Sequence, residues 1–205
     1  MMRYLCMLVL WTSALAFGEC PDTGQIRFRH VVGAPAVYVQ GLFGEDSYQA
    51  FLLGNDFSQA QRGDGARGNL FSLGGFSFEH FALPRQQYLL NQEQPDEAAE
   101  LAAHHDWELK YMEGLSESGK IKLEGHRSYG VVETEIIDGS KRKFFIWYAE
   151  LSGARQYFVT TRLSFGVLVL SILGVEPQEE ERVRDVIQNY MYRFTKLREP
   201  QCTAD

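Results

Sequence analysis

The run Gly166 to Leu173 (GVLVLSIL) constrains the fold most, because it is apolar at odd and even positions alike. The wider run Phe165 to Val175 contains Gly166, Ser171 and Gly174, and it is too short for a hydrocarbon core, which takes about 20 residues. It reads as a β-strand buried on both faces, and such a strand needs a covering layer on each side. The segments before it supply its neighbours. Lys120 to Glu124 alternates weakly. Tyr129 to Ile137 is followed by Asp138-Gly139, and Lys143 to Leu151 by Ser152-Gly153, both turn signals. Arg155 to Leu163 is rich in β-branched and aromatic residues, as strands prefer. The pattern is an antiparallel meander whose last strand is covered twice.

Two helices are available as cover. Pro95 to Met112 starts with proline and carries Asp96, Glu97 and Glu100 near its positive end. Ala98, Leu101, Ala102, His105, Leu109 and Met112 recur at helical spacing as the inward stripe, and Gly114 is the expected stop. Glu179 to Leu197 follows Pro177 and opens with three glutamates. Val183, Val186, Ile187, Tyr190, Met191, Phe194 and Leu197 form its stripe. The N-terminal half is less regular. Ile26 to Val32, Ala36 to Leu42, Tyr48 to Leu53 and Phe76 to Leu83 read as short strands, and the glycine-rich stretch 54–75 as an exposed loop. The expected class is α+β, an antiparallel β-sheet packed between helices like an α/β/α sandwich, after an irregular glycine-rich N-terminal segment. Its divisions are a signal at 1–18, short strands and loop at 19–75, an α+β core at 76–198 and a tail at 199–205.

This order of elements resembles the Mog1/PsbP-like fold. The likeness rests on His126-Arg127-Ser128-Tyr129-Gly130-Val131-Val132 entering a strand, on Phe144 to Tyr148, on Arg155 to Thr160, and on the final helix Val183 to Phe194. It covers roughly the last 130 residues, and the glycine-rich N-terminal segment departs from it. The resemblance implies an accessory or binding protein without a shared catalytic residue set, and it transfers no residue role.

Residues 1–18 read as a secretory signal: Arg3, the apolar run Tyr4 to Trp11, then Ala14-Leu15-Ala16, with cleavage after Ala16 or Gly18 fitting equally. A retained anchor is the competing reading. Cleavage would leave no membrane span and remove Cys6, so that Cys20 and Cys202 remain, one near each end, in an oxidising compartment where such thiols pair. The bridge would constrain the unfolded chain by up to about 5 kcal/mol in the loop-entropy model. Lipid attachment at Cys20 fits less well, since Glu19 stands where a small residue is expected. The expected location is therefore secreted or periplasmic.

With 20 basic and 27 acidic residues the chain carries a formal charge of −7, which argues against nucleic acid as a partner. Removing the signal takes away only Arg3 among the charged residues, leaving the chain more acidic. Gly63-Asp64-Gly65-Ala66-Arg67-Gly68 matches a dinucleotide fingerprint in letters, yet it lacks the strand before and the helix after. Arg62-Gly63-Asp64 is an adhesion tripeptide or a plain polar loop. His126 to Gly130 approaches a nucleophile elbow around Ser128, but the continuation reads as strand and no histidine follows His126. Glu100, His104 and Glu108 share a helix face at i, i+4 and i+8, presenting oxygen and nitrogen donors to a divalent metal; the competing reading is a solvated face. The 27 aromatic residues fall mostly on inward positions and read as core. No cofactor is implied. The function expected is a non-enzymatic accessory or binding protein with a protein partner or small ligand, the alternative a secreted hydrolase or metal-binding protein.

Overall fold

The computed structural model describes residues 25–30, 36–43, 46–54, 58–59, 69–89 and 96–197. In chain order the strands and helices are β1 (Gln25–His30), β2 (Ala36–Phe43), β3 (Asp46–Leu53), β4 (Ser58–Gln59), β5 (Asn69–Leu73), β6 (Phe76–Pro84), α1 (Glu97–Glu117), β7 (Leu123–Glu135), β8 (Lys141–Leu151), β9 (Ala154–Arg162), β10 (Gly166–Val175), α2 (Glu180–Tyr192) and β11 (Thr195–Leu197). Seven strands form a large antiparallel sheet in the order β4-β5-β6-β10-β9-β8-β7, and four form a small one in the order β1-β2-β3-β11.

The doubly apolar run becomes β10, flanked by β6 and β9. Its side chains divide between two buried clusters. Val167 and Val169 join Phe81, Phe145, Trp147 and Phe158 beneath α1, where Leu101 and Met112 meet them. Leu168, Leu170 and Ile172 join Phe78, Phe144, Ile146 and Val159 on the other face, against Val183, Ile187 and Tyr190 of α2. Val37, Val39, Tyr48, Ala50 and Leu52 of the small sheet belong to that second cluster. One cover is therefore a helix, and the other is a helix and a sheet together. The class is α+β, as expected, with the N-terminal strands supplying part of a layer. Each buried Val, Leu or Phe side chain contributes about 1.5–3 kcal/mol of transfer free energy.

Several boundaries differ from expectation for local reasons. Helix α1 starts with the Asp96 side chain accepting from the Ala99 amide at 2.9 Å, as an N-cap does. It passes through Gly114 and stops at Gly119, where φ of +72° takes the left-handed conformation that only glycine adopts at little cost. Its buried side chains are Glu100, Leu101, His104, His105, Glu108 and Met112, so the inward stripe is rotated from the apolar positions toward a polar row. Helix α2 ends at Tyr192, not Leu197. Phe194 still packs inward, and Thr195–Leu197 turns into β11 to pair with β3. Asn69–Leu73, expected as loop, is strand β5, joined to β6 through Gly74-Gly75 with φ of +59° and +88°. The expected boundary at 75/76 falls in that turn. The weak run from Lys120 and the strand from Tyr129 are mostly one strand, β7, whose ladder is interrupted near Glu124 and Tyr129 by register shifts. Among the described residues, no helix is long and apolar enough to cross a membrane.

Candidate functional site

The chemistry-bearing side chains gather where α1 lies on the large sheet. At the start of α1, Glu100 is wholly buried. Arg85, just past β6, donates to it through Nε at 2.7 Å and Nη2 at 3.2 Å. Arg162, the last residue of β9, approaches the second oxygen at 2.8 Å through Nε, and the Tyr88 hydroxyl donates at 2.7 Å. These are charge-assisted bonds, the stronger kind. The carboxylate holds the Arg85 guanidinium above its ordinary pKa through the hydrogen bond. Burial, reinforced by Glu100, pushes the Tyr88 hydroxyl far up. A carboxylate engaged in this way ties a helix start to a sheet, with both of its oxygens already committed to Arg85, Arg162 and Tyr88.

The remainder of the expected metal row goes elsewhere. His104 sits edge-on to Tyr88 at 5.3 Å between ring centroids, and Glu108 lines a cleft farther along the helix. Among the described residues, no three His, Cys, Asp or Glu side chains gather as a metal site. The solvated-face alternative fails, because Glu100, His104 and Glu108 are all buried. His105 stacks on Phe145 at 4.8 Å and meets Trp147 edge-on at 4.9 Å, while Nδ1 lies 3.0 Å from Asp106. It is a core-edge histidine. Ser128 is exposed on β7, where its hydroxyl accepts from the Gly130 amide at 3.1 Å and the chain continues as strand. The sharp strand-to-helix turn that a nucleophile elbow requires is not formed there. Cys20, Cys202, the signal segment, Arg62-Gly63-Asp64 and the glycine motif lie outside the described residues.

The cleft has a volume of about 210 Å³ and opens between the second half of α1 and the sheet. Phe81 and Phe158 form its floor, Met112 and Leu115 one wall, and Ile121 and Leu151 the end. Glu79, Glu108 and Gln156 contribute polar atoms, and the Gln156 amide is fixed by donating to Ser171 Oγ at 2.8 Å. Apolar walls with a few placed polar groups are the common composition of a small-molecule site. None of its residues belonged to the expected site except Glu108. The floor arises from strand register, which periodicity along one strand does not contain.

A second arrangement also escaped sequence reading. Tyr129, Tyr148 and Tyr157, on three adjacent strands, form a ladder with ring centroids 6.2 and 5.1 Å apart. Arg127 lies over Tyr129 at 5.3 Å and Arg155 over Tyr148 at 4.7 Å. Arg155 is held by Glu150 at 3.2 Å and Glu180 at 2.8 Å, which ties this ladder to the start of α2.

No family model matches the chain, and no curated protein does. Among solved structures, it is similar to the solution structure of cyanobacterial PsbP from Synechocystis, with 9% identity and a TM-score of 0.46, covering 88% of this chain and 99% of that one. That similarity carries no residue role across to this chain.

Proposed function

We propose that the chain is an exported, non-enzymatic binding protein that holds a small amphiphilic molecule in the cleft between α1 and the large sheet. The observation that carries this reading is the cleft itself: six apolar side chains around a volume of about 210 Å³, with Glu79, Glu108 and Gln156 as the polar contacts. Export rests on the N-terminal signal pattern, and a Cys20–Cys202 bridge follows from export. The saturated state of Glu100 and the strand setting of Ser128 weigh against a hydrolase at either residue.

The test uses Nile red as the probe. Wild type is expected to bind it with a blue-shifted emission. Ile121→Trp, which fills the end of the cleft, should weaken binding at least tenfold, by order of magnitude for loss of a shaped apolar pocket. Ile137→Trp, at an exposed position away from the cleft, should bind as wild type does. Equal binding by Ile121→Trp and wild type would remove the cleft from the proposal.

A further inference from the structure

His80 stands in the middle of β6, opposite Leu170 of β10 and Asn69 of β5. It is wholly buried. Its Nδ1 lies 3.3 Å from the hydroxyl of Tyr48, on β3, and its Nε2 lies 3.0 Å from the hydroxyl of Tyr190, on α2. One polar chain therefore crosses an otherwise apolar layer and joins the large sheet, the small sheet and α2. Phe194 stacks on Tyr48 at 5.4 Å, and β11 pairs with β3, so the segment after α2 is held at the same place.

A neutral imidazole offers one donor and one acceptor. One tyrosine therefore donates to the ring and the other accepts from it. Protonation makes both ring nitrogens donors. The hydroxyl that had donated must give up that bond, and a positive charge appears where water is excluded. Among the described residues, the groups facing His80 are the Tyr48 hydroxyl from β3 and the Tyr190 hydroxyl from α2, and the charge felt at Tyr190 is the positive guanidinium of Arg142, which lies over Phe194 at 4.8 Å. Burial lowers the imidazole pKa from its ordinary 6.5 to about 3.

We propose that Tyr48, His80 and Tyr190 form an acid-sensitive latch, in which uptake of one proton by His80 releases the small sheet and α2 from the large sheet. The folded-state value lies below the unfolded one. Closure is therefore fully favoured above the unfolded value and loses that advantage as pH falls toward the folded one. By linkage, opening should rise about a hundredfold between neutral pH and about pH 4.5. The latch is independent of the cleft, which lies on the opposite face of the sheet.

Amide hydrogen exchange on the full chain tests it, with rates corrected for the intrinsic effect of pH. Wild type is compared with His80→Gln, whose side chain keeps a donor and an acceptor but takes up no proton. Segments 46–53 and 183–194 should open about a hundredfold more in wild type at about pH 4.5 than at neutral pH, while His80→Gln changes by less than about threefold. His104 and His105, on the α1 side, are present in both proteins, so the difference isolates His80. The same acid response in both proteins, or none in wild type, overturns the latch. Should His80→Gln fail to fold, the wild-type His80 ring is titrated by NMR. A midpoint near the ordinary histidine value overturns the proposal, and no titration above about pH 5 supports it.

Discussion

Replacing Glu100 by glutamine keeps the shape of the side chain and removes its charge. Arg85 and Arg162 would then converge on a neutral amide, and Tyr88 would keep one acceptor oxygen at most. Removing one partner of a buried ion pair costs about 3–5 kcal/mol, because the other charge is left uncompensated. Here the side chains of Arg85 and Arg162 retain 15% and 26% exposure, so water recovers part of their solvation and the lower end applies. The expected loss is about 3 kcal/mol, or about 6–12 °C in Tm for a chain of this size. Thermal unfolding followed by far-ultraviolet circular dichroism measures it, with urea unfolding as the check on free energy. Arg162→Gln and the double variant close a cycle. A coupling of about 1 kcal/mol or more between positions 100 and 162 is expected for groups in direct contact. A loss below about 1 kcal/mol in Glu100→Gln, with additive effects in the cycle, would refute the view that this carboxylate ties α1 to the sheet.

Two further outcomes follow from close packing and from chain chemistry. Gly166→Ala would place a Cβ against the Leu83 carbonyl oxygen and 2.9 Å from the Arg85 amide nitrogen. Backbone cannot rotate aside as a side chain does, so denaturant unfolding should show a loss of about 1–3 kcal/mol. For the proposed exported form, mass measurement after alkylation without reductant should show Cys20 and Cys202 unmodified; modification of both refutes the bridge.

The strands that end in Asp138-Gly139 and Ser152-Gly153 were readable because each turn signal sits between runs of clear period. The pattern failed where tertiary contacts outweigh local preference. Asn69–Leu73 sits in glycine-rich sequence, yet Phe71 and Leu73 reach the core once β6 offers a paired edge. The stripe of α1 was read from its apolar residues, but Arg85, Arg162 and Tyr88 draw Glu100 inward, and the helix turns with it. For the same reason, a row that looked like a wet surface is buried, and its first carboxylate is held by two arginines. The cleft and the tyrosine ladder depend on cross-strand register, which no single-strand period encodes.

The two faces of β10 explain why polar chemistry divides as it does. On the α1 side, a single helix covers a wide sheet, and its ends admit water. Arg85 and Arg162 can therefore pair with a buried carboxylate while keeping part of their hydration, and a cleft remains between the second half of the helix and the sheet. On the other side, α2 and the small sheet together close over Leu168, Leu170 and Ile172, and the polar link there is the uncharged Tyr48–His80–Tyr190 chain. A neutral chain costs little in that layer, whereas a charge costs several kcal/mol. The same closure is why the proposed proton response belongs to the second face and the proposed ligand site to the first.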